Sequence, residues 1–153
     1  MILEHHSETP GPIDPALVRE GCRRLDKPTG LWASVPGPHD WPAYLSGNGI
    51  PQRPYRIRID IVPDARLLVL ADPEAVLTFG SEYGLGEAWG TGFPPGHAID
   101  WERVEAKWQG IVIAPFQTTL RRDPRCRWYF GWDCACACIW DADAILRTTT
   151  LAA

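Results

Sequence analysis

Three short segments and one cysteine run hold the residues whose types and spacing could do chemistry. The segments are His5-His6-Ser7 near the start, Gly30-Leu31-Trp32-Ala33-Ser34, and the late Tyr129-Phe130-Gly131-Trp132-Asp133. An imidazole beside a hydroxyl supplies hydrogen bonds that orient a substrate, an indole offers a flat stacking surface, and a carboxylate supplies fixed negative charge. Each also has a plain structural reading. His5 and His6 read as exposed polar residues near a terminus, Trp32 as core, and Asp133 as the end of a turn before a strand. The run Cys134, Cys136, Cys138 lies on one face if extended, because side chains alternate with period two. A metal reading needs a fourth ligand such as Cys126, and three cysteines so close crowd a tetrahedral ion, whereas zinc knuckles use C-x2–4-C spacing. Small buried core residues are the simpler reading. The chain carries no P-loop, GxGxxG, HExxH or GxSxG motif, so it lacks the usual signatures of nucleotide hydrolysis, dinucleotide binding, zincin and α/β-hydrolase chemistry. Gly80-Ser81-Glu82-Tyr83-Gly84 ends a helix rather than following a strand, so it is no nucleophile elbow.

Those residues need elements to hold them. Met1–Ser7 reads as a strand closed by Thr9-Pro10-Gly11-Pro12, and Asp14-Pro15 opens a helix through Arg24 that contains Gly21 and Cys22. Leu31–Val35 is a second strand after the Lys27-Pro28-Thr29-Gly30 turn. Asp40 caps a short helix closed by Gly47-Asn48-Gly49. Tyr55–Val62 alternates cleanly, Ile57, Ile59 and Ile61 against Arg56, Arg58 and Asp60, which predicts a half-solvated antiparallel strand. Arg66–Leu70 is a further strand, Asp72-Pro73 opens a helix to about Phe79, and Gly84–Pro95 reads as a long loop of functional length. Asp100 caps a helix to about Lys107 stopped by Gly110, Ile111–Ala114 is an apolar strand, and Cys134–Trp140 is the last strong one. Asp141 and Asp143 cap a short C-terminal turn. With short strands outnumbering helices, and no recurring βαβ rhythm, the pattern predicts one α+β domain over residues 1–153. It has a mainly antiparallel sheet and three to four short helices.

The order of the three segments resembles the NAD-dependent ADP-ribosyltransferase fold of the diphtheria-toxin and poly-ADP-ribose polymerase branch. In that branch an H-x-[ST] strand contacts the NAD ribose, an aromatic in G-[IL]-[YW]-x-[ST] stacks on nicotinamide, and a late-strand carboxylate completes the site. His5 and Ser7 match the first motif, while Gly30, Trp32 and Ser34 match the second. Cys138-Ile139-Trp140-Asp141 is similar to the I-V-Y-D that follows the family's catalytic glutamate. Counting back from Asp141 lands that glutamate on Cys136, so Asp133 takes the role only across a bulge, and the aromatic is Trp rather than Tyr. The resemblance implies a split sheet, NAD as substrate, no metal, and transfer of ADP-ribose with release of nicotinamide. The acceptor would be a nucleic acid, a protein or a small molecule. His5 would contact ribose, Trp32 would stack, Asp133 would stabilise the oxocarbenium-like transition state, and Arg121 and Arg122 would meet the pyrophosphate. Segments of the form K-P-x-G-L-W and W-Y-x-G-W-D-C also resemble uncharacterised actinobacterial and phage proteins, which supplies no mechanism; the transferase resemblance itself implies a phage or toxin–antitoxin effector. The competing expectation is a non-enzymatic module gripping a protein or nucleic acid through Trp and Arg, since such residues dominate hot spots.

Composition bounds these readings. The chain has 153 residues, 45% hydrophobic, which suffices for one core without disulfide or metal staples. A net charge of −4 argues against a protein that mainly coats duplex nucleic acid. The 14 Gly and 15 Pro indicate many irregular connections, yet fall short of a low-complexity composition. No stretch approaches a membrane span, and the start turns polar within a few residues, so the expectation is a cytoplasmic protein with reduced thiols. Eight Trp against one Met is the oddest count.

Overall fold

Seven strands form one sheet in the order β4-β5-β6-β2-β1-β3-β7 in the computed structural model, which describes residues 1–14, 25–86 and 96–151. The strands are β1 (Leu3–Ser7), β2 (Leu31–Ser34), β3 (Tyr55–Ile61), β4 (Leu67–Leu70), β5 (Gly110–Ile113), β6 (Cys136–Ile139) and β7 (Ile145–Leu151). All neighbouring pairs are antiparallel except β4–β5, which is parallel. A parallel pair needs a crossover. Here the crossover carries α2 (Pro73–Tyr83) and α3 (Trp101–Glu105). One βαβ-like unit is thus present where the sequence showed no such rhythm, inside an otherwise antiparallel α+β domain. The predicted helix over 15–24, Cys22, Trp89 and most of the predicted 84–95 loop lie outside the described residues.

Local chemistry sets the helix starts. Asp40, Asp72 and Asp100 each accept a hydrogen bond from the backbone N–H three residues on, at 2.9, 2.8 and 3.1 Å, for α1 (Trp41–Gly47), α2 and α3 respectively. Helix α2 continues past Phe79 to Tyr83, because Val76, Phe79 and Tyr83 all bury on one side. Gly110 is the first residue of β5 rather than a helix stop. A Cβ there would stand 2.7 Å from the Ile139 side chain and 2.9 Å from the Cys138 carbonyl, so glycine lets β5 close on β6. The last predicted strand shrinks to Cys136–Ile139, since the Ala135 N–H turns away to the His39 carbonyl at 2.6 Å. Strand β7 was not foreseen; it pairs along β3 at the sheet edge.

Paired residues share a face, so the register divides the sheet into two cores. One face carries Ile111, Ile113, Cys136 and Cys138, and packs against α2, α3 and the 3-10 segment Pro124–Gly131. The other carries Leu3, Ala33, Ile59, Val112, Ala137 and Ile139, closed by Ala144. Small Ala33 and Ala137 face each other at its centre, which lets the thinner core close. The larger core is aromatic, with Trp101, Trp128, Trp132 and Trp140 at most 2% exposed.

Candidate functional site

On the helical face, at the junction of β1 and β2, a cavity of about 390 Å³ opens beside α1. Strand β2 supplies Trp32 and Ser34 to its wall, β1 supplies Glu4, His5 and His6, and the segment before β6 supplies Trp132, Asp133, Cys134 and Cys136. Lys27, Trp41 and Arg53 complete it. His5, Trp32 and Asp133, widely separated in sequence, therefore meet at one cavity. Its size falls in the range of ordinary ligand pockets.

Each wall residue is held by a definable contact. The Trp32 ring lies 4.9 Å from Trp132 at an interplanar angle of 59°. Trp132 is edge-on to buried Trp128, so the half-exposed indole stands against a rigid aromatic stack. The Lys27 ammonium sits 5.4 Å from the Trp32 ring centre. The Ser34 hydroxyl accepts the Trp41 N–H at 2.9 Å, tying the start of α1 to the sheet.

Strands β1 and β2 pair only at Glu4 and Ser34. Continued pairing would set His6 opposite Trp32, but the His5 Nδ1 lies 2.8 Å from the Trp32 carbonyl instead. A carbonyl only accepts, so His5 donates from Nδ1 and, when neutral, keeps its lone pair on Nε2. The two strands thus part locally at this point, within one continuous sheet.

Asp133 is not a free carboxylate. Arg121 Nη2 donates to its Oδ1 at 2.9 Å, and Lys27 Nζ stands 3.8 Å from Oδ2. Two cations thus offset the negative charge that the site was expected to supply. Asp133 also lies outside β6, while Cys136 occupies the strand position opposite Ser34.

Not every predicted residue reaches the cavity. Ser7 accepts the Thr9 N–H at 3.1 Å beyond its rim, and Arg122 is exposed and outside its wall. Arg121 reaches the cavity only through Asp133, and lines a second cavity with Asp26, His97, Asp123, Arg127 and Phe130. Arg125, near them in sequence, is held by both oxygens of Asp123 away from the cavity. Gly30 is outside the wall too; a Cβ there would come 2.5 Å from the Ile139 carbonyl, so its role is to let the chain enter β2 against β6.

Glu4 was missed in the sequence, and His6, beside His5, read there as an exposed polar residue. They face the same side as Ser34 because Glu4 pairs with it, and period two carries His6 along. His6 is almost wholly covered, with its side chain 4% exposed, and its Nε2 has no hydrogen-bond partner among the described residues. Burial lowers its pKa below the ordinary 6.5, only partly opposed by Glu4. His5, Arg56 and Asp40 are the other charged neighbours. The folded chain then binds a proton at His6 less readily than the unfolded chain. Stability contributed by neutral His6 is therefore present above about pH 6.5 and is lost as pH falls toward the lowered value. Thermal melts of wild type and His6→Gln should converge as pH drops from about 7.5 to about 5.5, with the wild type losing more. Parallel melting curves across that range would show that His6 is not a source of the pH dependence.

The cysteine run is thiol chemistry held in check. Burial and the Cys134 hydrogen bond push the Cys136 thiol well up, with the Cys134 bond the larger cause, and burial does the same to Cys138. These are poor nucleophiles at neutral pH. Among the described residues no group of three or more His, Cys, Asp or Glu could hold a metal ion, and no helix is long and apolar enough to cross a membrane. No family model matches the chain, and neither a curated protein nor a solved structure matches it.

Proposed function

We propose that the chain is an NAD-dependent mono-ADP-ribosyltransferase that breaks the nicotinamide–ribose bond in the β1–β2 cavity and passes ADP-ribose to a nucleic-acid or protein acceptor. The observation that carries this reading is the meeting of His5, Trp32 and Asp133 in one cavity. Trp32 presents a braced aromatic surface for the nicotinamide ring, and His5 offers an Nε2 acceptor to a ribose hydroxyl while its Nδ1–H is committed to Trp32. Lys27 and Arg53 in the wall, with Arg121 reaching its edge through Asp133, are the cations placed for the pyrophosphate. A flat tryptophan-rich contact surface draws less support, because four of the tryptophans are core.

Nicotinamide release from NAD, followed chromatographically, tests the proposal together with calorimetric titration of NAD. Stacking contributes about 0.5–1.5 kcal/mol beyond the area buried, so Trp32→Ala should weaken NAD binding by roughly tenfold or more. Absence of NAD binding at millimolar concentration, with no nicotinamide released, sinks the reading.

A further inference from the structure

We propose that Glu4, on the first strand, is the carboxylate that acts at the reacting carbon; this rests on the transferase reading above. Three observations lead there. Glu4 pairs with Ser34, which pairs with Cys136, so the three lie in one row across β1, β2 and β6 on the face of the cavity. Cys136 is the place where a late-strand carboxylate would stand, and it holds a protonated thiol instead. Glu4 reaches the same row from two strands away, a spacing of roughly 9–10 Å between backbones that a glutamate and a bound sugar together span.

The second observation concerns competition. Both Asp133 oxygens face cations, Arg121 within hydrogen-bond distance. Among the described residues, the basic groups nearest Glu4 are the Arg56 guanidinium at 3.7 Å and the His6 imidazole at 3.9 Å, both beyond hydrogen-bond length. Of the two cavity carboxylates, Glu4 has the more charge to offer. The third is His6, whose buried Nε2, without a hydrogen-bond partner among the described residues, stands 3.9 Å from the Glu4 carboxylate on the same side of the sheet.

In the reaction the bond from the ribose anomeric carbon to the nicotinamide nitrogen breaks, and its electron pair leaves with nicotinamide. Glu4 stabilises the positive charge left on the sugar. The acceptor's oxygen or nitrogen forms the new bond to that carbon, and its proton passes to Glu4 and then to solvent. The sum is NAD⁺ plus acceptor giving ADP-ribosylated acceptor, nicotinamide and a proton.

Nicotinamide release from NAD, with water as acceptor, is measured for wild type, Glu4→Gln and Asp133→Asn, each checked for an unchanged melting curve. Glu4→Gln should lower kcat by about 10²–10³-fold with KM for NAD little changed, as for removal of a charge-stabilising group. Asp133→Asn should act mainly by raising KM, because it releases Arg121 and Lys27. A Glu4→Gln enzyme with kcat near wild type, or the whole loss of kcat falling on Asp133→Asn, overturns the assignment and leaves the transferase reading standing. A wild type that releases no nicotinamide overturns both. If Glu4→Gln melts early, Glu4→Asp at a temperature where it is folded gives the same reading: a large kcat loss upholds the role, and none overturns it.

Discussion

Trp128→Ala is expected to destabilise the fold by about 3–5 kcal/mol, the cost of emptying a fully buried tryptophan site. Trp128 is 0% exposed and touches Phe79 at 5.0 Å, Tyr129 at 5.7 Å, Trp132 at 6.1 Å and Trp101 at 6.5 Å between ring centres. No single neighbour can move into that space, since each is itself buried against others. The contrasting variant is Trp128→Phe. Its cost should be far smaller, because the buried Trp128 indole N–H has no acceptor among the described residues, and phenylalanine removes that group together with part of the ring. Urea denaturation of the two variants separates these effects. Equal losses for Ala and Phe would mean that the indole nitrogen matters more than the ring. The Ala variant should also loosen Trp132 and, through it, Trp32, so NAD binding should weaken in a protein still folded at low temperature.

Gly30→Val is expected to cost about 3 kcal/mol and to cut NAD affinity, although Gly30 touches no part of the cavity. The nearest obstacle is backbone: the Ile139 carbonyl oxygen at 2.5 Å from an added Cβ, followed by the Cys138 sulfur at 2.8 Å. A flexible side chain could step aside, but a central strand cannot. To admit a branched side chain, β2 must move off β6, and Trp32, two residues along, moves with it. Denaturant midpoint and NAD calorimetry on one sample check both halves. A stable variant with wild-type NAD binding would show that the β2–β6 contact does not position Trp32.

The sequence disclosed most of what local chemistry controls. Asp40, Asp72 and Asp100 mark three helix starts because an N-cap is a short-range event, and Ile57 and Ile59 mark a buried strand face by period two alone. Strand β7 escaped because an edge strand with Arg147 and Thr148–Thr150 presents no apolar alternation, with Ile145 at its start packed against the second core. The parallel β4–β5 pair escaped because its crossover is broken into short helices, which hides the βαβ spacing. At the site, Trp32 and Asp133 were visible as members of motifs. Glu4 was not, and neither was the inward side taken by His6, since both depend on the pairing of Glu4 with Ser34, and a shift of one residue exchanges the two faces. The charge on Asp133 was equally hidden, because Lys27 and Arg121 approach it from distant turns.

The sheet order has a consequence for the birth of the molecule on the ribosome. Strand β6 separates β5 from β2, yet it is made late. A nascent chain that ends before Cys136 has all five earlier strands but only two mutually unpaired halves, β4–β5 and β2–β1–β3. The cavity wall draws on both the first strand and the segment just before β6, so it closes only when those halves are joined. Such long-range pairing is slow. The cavity wall thus stays incomplete until the chain has been made through β6, which joins the two halves.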